Sequence, residues 1–195
     1  MSRPEVRLVA VCTANQCRSP MAEVLLQRAL RERGIPATVT SAGAMRGDVP
    51  ASEGSVEAMA RRGLDLGAHR SHQLTADDLA GADLVLCMAR RHSREAVVLH
   101  PPAWPRTFTL KELVRRGEAL GPRRAGQPLD TWLAEVGEGR TRSALLADDP
   151  LDDVADPIGG PDSAYEATAV LLEDLVTRTV ALTFPVPEDT ETAAS

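Results

Sequence analysis

Cys12 and Arg18 bracket five residues, Thr13, Ala14, Asn15, Gln16 and Cys17, and Ser19 and Pro20 follow at once. A thiol, a guanidinium and a run of backbone N–H groups are thereby confined to one short loop. N–H groups in a tight loop form a nest for oxyanions, and a helix starting just beyond adds its positive end. Arg18 contributes a planar fork that grips two oxygens of a tetrahedral anion. The same field favours the thiolate of Cys12, the nucleophilic form of a cysteine. The Ser19 hydroxyl is close enough in sequence to donate a hydrogen bond to that sulfur. This spacing suits attack of Cys12 on a bound phosphoryl group. A bare C-x5-R match also fits a buried strand-end cysteine and a surface charge, so the surrounding elements have to decide.

The apolar stretch over 6–11 predicts a strand ending next to Cys12. Pro20 suits the first position of a helix, where its missing N–H would be unpaired anyway, and Ser19 then falls at the cap. Met21, Val24, Leu25 and Ala29 repeat at helical offsets, which gives a helix over 20–33 closed by Gly34. Further on, 38–41 reads as a short strand and 52–62 as a helix ended by Gly63. Thr75 caps a short helix with Asp77 and Asp78 in its first turn. The wholly apolar run 84–88 is a strand of the kind a parallel sheet buries on both faces. A helix over 93–99, a strand over 107–109 and a helix over 110–116 follow. The last helix, 162–183, places Tyr165, Ala169, Leu172 and Val176 on one face. This order predicts an α/β fold, a single domain over 1–184 with a central parallel sheet of about four strands and helices on both faces. The Cys12 loop then lies beyond a carboxyl end of the sheet, where such folds bind ligands.

Cleaving a phosphomonoester through a phosphocysteine requires an acid for the leaving group. Asp156, in DVADPIGGPDSAY, precedes the final helix within a turn that can bring it back to the strand ends. Once ionised, the same carboxylate can activate water against the phosphoenzyme. Asp152, Asp153 and Asp162 are close by, and an aspartate before proline is often only a turn former. Spacing alone leaves that choice open.

The segment VCTANQCRSPMAE resembles the signature of the low-molecular-weight protein tyrosine phosphatases, V-C-x-G-N-x-C-R-S-P. The resemblance implies Cys12 as nucleophile, Arg18 as phosphate clamp, and Asn15 and Ser19 as organisers of the loop. It implies Asp156 as general acid, because DPIGG with a following Tyr165 is similar to the D-P loop before the family's last helix. Ser41 in TSAG and His69 in HRSHQLT resemble the serine and histidine that hold the loop asparagine. Ala14 stands where the family has glycine; if that position takes a positive φ, the Cβ costs on the order of 1 kcal/mol. Gln16 and Ile158 occupy selectivity positions, where tyrosine-directed members generally carry an aliphatic and an aromatic residue. TFTLKE and DPIGG look like the bacterial branch that includes protein-arginine phosphatases, which typically has threonine in place of Gln16. The implied substrate is a phosphorylated protein or peptide, with phosphotyrosine first and phosphoarginine second. Arsenate reduction on the same fold needs a thiol relay; Cys87 offers one partner, but CMARRHSREAV lacks the next cysteine. A phosphate-binding module without catalysis would need neither Cys12 nor Asp156. Cys17 reads either as a redox guard closing on Cys12 or as a small packed loop residue.

A net charge of −6 argues against nucleic-acid partners. No run approaches a membrane span and no N-terminal segment has an export pattern, so a cytoplasmic protein without membrane contact is expected. Three cysteines without framework spacing argue against a disulfide scaffold. His69, His72, His92 and His100 form no ligand pattern with them, so neither a metal nor another cofactor is expected. A monomer or weak homodimer is the expected state. Residues 117–149, rich in Gly, Pro and Arg with an amphipathic piece over 129–136, read as an insertion. It is either a surface segment with small helices or a lid beside the site. The polar, acidic stretch 185–195 reads as disordered.

Overall fold

The computed structural model describes residues 5–45 and 47–185. Strands β1 (Val6–Cys12), β2 (Ala37–Gly43), β3 (Leu84–Cys87) and β4 (Thr107–Thr109) form one parallel sheet in the order β2-β1-β3-β4. Around it lie α1 (Arg18–Glu32), α2 (Glu53–Ala60), α3 (Ala76–Gly81), α4 (Arg90–Leu99), α5 (Leu110–Leu120), α6 (Leu129–Val136) and α7 (Asp162–Thr183). Two 3-10 segments, Pro101–Arg106 and Arg142–Leu146, complete the described elements.

β1 is apolar on both faces because both are covered. Leu8, Ala10 and Cys12 enter a larger core with residues of α1, α5, α6 and α7, while Val9 and Val11 enter a smaller one with residues of α3 and α4. Two-sided burial is why this strand reads as a continuous apolar run. The register sets Cys12 beside Gly43 and Val11 beside Cys87, so three strands end level and the loop after β1 emerges over their common edge. Gly43 permits the close approach: a Cβ there would lie 2.8 Å from the Asn15 nitrogen and from the Thr13 carbonyl oxygen.

Helix α1 starts two residues before the position that Pro20 suggests. Arg18 is its first residue, Cys17 stands at the cap, and the Met21 N–H donates to the Cys17 carbonyl at 3.2 Å. Pro20 is therefore third, where N–H groups still lack intrahelical acceptors and proline costs little. Ser19 is not the cap, and its hydroxyl is free for the site. α4 likewise begins earlier than its local pattern shows, at Arg90. The Arg90 N–H donates to Asp153 Oδ1 at 2.9 Å, so a residue far along the chain supplies the missing cap.

The segment 117–149 is not a surface excursion. α5 continues through Gly117 to Leu120, and Trp132, Leu133 and Val136 of α6 belong to the larger core. Trp132 Nε1 donates to the Gly121 carbonyl at 3.1 Å. Arg140 then fastens the segment to the sheet. Its Nε donates to Glu112 at 2.9 Å and its Nη2 to the Thr107 carbonyl at 2.6 Å, while the guanidinium lies 3.8 Å from the Phe108 ring centre. Nothing from 117–149 lines the cavity over Cys12. Of the stretch 185–195 read as disordered, all but Pro185 lies outside the described residues.

Candidate active site

β1 delivers Cys12 to the carboxyl edge of the sheet, 2% exposed, and two donors converge on its sulfur. Ser19 Oγ donates at 2.9 Å and the Asn15 N–H at 3.3 Å. Asn15 is fully buried at φ 53°, a left-handed conformation that asparagine adopts more readily than most residues. Its Nδ2 donates to Ser19 Oγ at 2.9 Å and to Ser41 Oγ at 2.7 Å, and its Oδ1 accepts the His72 N–H at 2.8 Å. The Asn15 carbonyl lies 2.8 Å from His69 Nε2, and the Ser41 hydroxyl donates in turn to Glu23 at 2.5 Å. The positive φ falls on Asn15 and not on Ala14, so the strain anticipated at Ala14 is not incurred.

Arg18 is buried beside the sulfur. Its Nη1 donates to the Val154 carbonyl at 3.0 Å, and its Nη2 pairs with Asp156 and reaches Thr13 Oγ1 at 3.4 Å. Its Nε is buried with no partner among the described residues, a donor left over for an incoming oxyanion. The loop that brings Asp156 here is stitched to α4 and α5. Asp152, 2% exposed, accepts from Arg90 Nε at 2.9 Å and from Arg115 Nη2 at 2.8 Å, and the Val154 N–H donates to the Met88 carbonyl at 2.8 Å. Of the four neighbouring aspartates, only Asp156 lines the cavity.

Sequence reasoning missed the hub on the other side of Arg18. Thr13 Oγ1 lies 2.9 Å from His92 Nε2 and accepts from Arg91 Nη2 at 3.0 Å. Burial, followed by the charges of Arg18 and Arg91, pushes the His92 imidazole down to about 3, so it is neutral at physiological pH. Gly43 and His72 were missed too. Glycine after the TSA run was the available signal for the first; a backbone N–H carries none.

The cavity measures about 260 Å³ and is lined by the loop from Cys12 to Arg18, apart from Asn15, with Met45, Asp156 and Ile158. Gln16 joins Met45 and Ile158 in its walls, the last two 55% and 53% exposed. None of the five aromatic residues of the chain reaches it. A larger cleft of about 520 Å³ lies at the amino ends of the strands, lined by Val6, Ala82 and Leu133 among others, with no thiol or hydroxyl side chain in its lining. Cys17 Sγ lies 3.0 Å from Ser52 Oγ, and burial raises its pKa. Cys87 is fully buried, its thiol pushed up to about 12 by burial, and it belongs to the core on the opposite face of the sheet from Cys12. That placement removes it as a thiol-relay partner.

Residues 7–120, more than half of the chain, match the family described as low molecular weight phosphotyrosine protein phosphatase. The chain belongs to this family. Among its relatives, the probable low molecular weight protein-tyrosine-phosphatase EpsP of Ralstonia solanacearum is 40% identical over 106 residues, 54% of this chain and 71% of that protein. The protein-arginine-phosphatase of Geobacillus stearothermophilus is 32% identical over 176 residues, 88% of this chain and 92% of that one. A solved YwlE arginine phosphatase mutant with a phosphorylated active-site serine superimposes with a TM-score of 0.67 at 28% identity, covering 89% of this chain and 92% of that one. The low molecular weight phosphatase fold thus extends beyond the matched region into α7. Within it, no described helix is long and apolar enough to cross a membrane.

Proposed function

We propose that this low molecular weight phosphatase hydrolyses phosphorylated proteins with Cys12 as nucleophile, Arg18 as phosphate clamp and Asp156 as general acid and base. The observation that carries the assignment is the convergence of Cys12 Sγ, the Arg18 guanidinium and the Asp156 carboxyl on one cavity of about 260 Å³. The phosphoryl group of the substrate enters over Cys12 and takes Arg18 from Asp156. Its oxygens meet the unpaired Nε of Arg18 and the N–H groups of the loop. The sulfur attacks phosphorus as the bond to the leaving group breaks, and Asp156 donates its proton to the departing atom. In the second step Asp156, now ionised, takes a proton from water, which attacks the phosphocysteine and returns the Cys12 thiolate and inorganic phosphate. Ser19 and Asn15 steady the sulfur in both steps.

Phosphotyrosine is the first substrate, in keeping with the family and with the tyrosine phosphatases among the relatives. Phosphoarginine is the second reading, and a specific observation favours it. The walls offer Gln16, Met45 and Ile158 and no aromatic ring to stack on a tyrosyl group, and the arginine phosphatase relative aligns with most of the chain. Matched phosphotyrosine and phosphoarginine peptides, assayed side by side with wild type, Gln16→Ile and Gln16→Thr, separate the two. Faster turnover of phosphotyrosine that Gln16→Ile improves supports the first; preference for phosphoarginine overturns it. We also assign the protein to the cytoplasm, as a monomer or weak homodimer that needs no metal.

A further inference from the structure

The arginines around the site are of two kinds. Arg90, Arg115 and Arg140 each meet a carboxylate, of Asp149, Asp152 or Glu112. Arg91 is half-buried and meets none among the described residues. Glu95, one turn along α4, feels its charge without pairing to it. The two contacts that Arg91 does make are neutral: Nη2 donates to Thr13 Oγ1 at 3.0 Å, and Nε donates to His92 Nε2 at 3.2 Å. These fix one edge of the guanidinium and leave Nη1 with no partner among the described residues. Thr13 lines the phosphate cavity, and its hydroxyl oxygen also receives Arg18 Nη2 at 3.4 Å. Two guanidinium groups therefore share one neutral oxygen at the rim of the pocket, and of the two only Arg18 is paired in contact with a carboxylate among the described residues. A partly desolvated cation held beside another cation is unfavourable until an anion arrives.

We propose that Arg91 is an anion subsite beside the phosphate pocket, taking the carboxylate of an aspartate or glutamate next to the phosphorylated residue of a peptide substrate. A carboxylate suits it better than a second phosphoryl dianion, because Arg18 already faces one dianion and a second would repel the first. His92 is the positioning residue here: its neutral, buried imidazole accepts from Nε and holds the guanidinium edge-on to the rim. The inference rests on the phosphopeptide reading above.

The test uses three phosphopeptides that differ only in the residue beside the phosphorylated one: glutamate, glutamine or phosphoserine. Each is assayed with wild type, Arg91→Gln and Arg91→Lys, and the readout is the ratio of kcat/KM values, which does not depend on how much enzyme is folded. Wild type turns over the glutamate peptide about fivefold faster than the glutamine peptide through KM, the scale of one partly screened ion pair. The ratio falls to about one in Arg91→Gln, survives in part in Arg91→Lys, and shrinks as salt rises. A wild-type ratio of one, or a ratio that persists in Arg91→Gln, overturns the subsite. So does a phosphoserine peptide that outruns the glutamate peptide, which would assign Arg91 to a second phosphoryl group. Failure of wild type to turn over any of the three overturns the phosphopeptide reading itself, and the subsite with it.

Discussion

On the proposed mechanism Cys12 and Asp156 work on opposite sides of one phosphorus atom, so their replacement leaves different signatures. Cys12→Ser lowers kcat on the order of a thousandfold or more, because the nucleophile and its phosphoenzyme are both lost. Asp156→Ala slows phosphoenzyme hydrolysis for every substrate, and it lowers kcat/KM about 100-fold or more for leaving groups that need a proton and far less for para-nitrophenolate, which leaves without one. A series of aryl phosphates of graded leaving-group acidity measures this; equal losses across the series would remove Asp156 as the acid. Gly43→Ala places a Cβ 2.8 Å from two backbone atoms of the loop and is expected to cost about 1–3 kcal/mol, read as a fall in Tm with lowered kcat. Cys12, Arg18 and Ser19 were legible at this scale because strand, loop and helix are contiguous. Asn15 could be named, but not its left-handed backbone, which depends on Ser41 and His72 approaching from other segments. Arg91, His92 and Thr13 meet only because α4 ends up beside the loop, and no local period announces that.

At the scale of elements, the loop before α7 matters as much as the aspartate it carries. Asp152 is a buried carboxylate with one oxygen on Arg115 and the other on Arg90, and it holds α4, α5 and the acid loop together. Burial alone would raise its pKa, but hydrogen bonds from Arg115 and Arg90 more than offset that and hold it below the usual carboxylate range. Its stabilising effect is therefore complete above the ordinary carboxylate pKa and fades as pH falls through the lowered folded value. Asp152→Asn is expected to lose about 1–3 kcal/mol at pH 7, and the two stability curves converge below about pH 4. Urea unfolding across that range measures the gap; a gap that widens in acid contradicts the assignment. Strands β1, β3 and β4 and helix α7 were readable from apolar runs and helical spacing. The start of α4 was not, since its cap comes from Asp153, which lies 63 residues away in the chain.

The whole molecule is one sheet with a core on each face, and the segment after α5 extends the larger core without touching the site. Trp132, 1% exposed, is the measure of that: Trp132→Ala is expected to cost about 3–5 kcal/mol while leaving kcat per folded molecule unchanged. Calorimetry and active-site titration report the two quantities separately. The amphipathic spacing over 129–136 was legible as a helix, but its burial was not, because glycine, proline and arginine dominate its flanks. What ties this architecture to a reaction is the level ending of β1, β2 and β3, which sets the Cys12 loop against the loop of Asp156. The most direct measurement is rapid quenching of the enzyme during turnover of an aryl phosphate, followed by peptide mapping. A burst of released phenol and a phosphoryl group on Cys12 alone are expected. A phosphoryl group on any other residue, or turnover that survives Cys12→Ala, would contradict the mechanism.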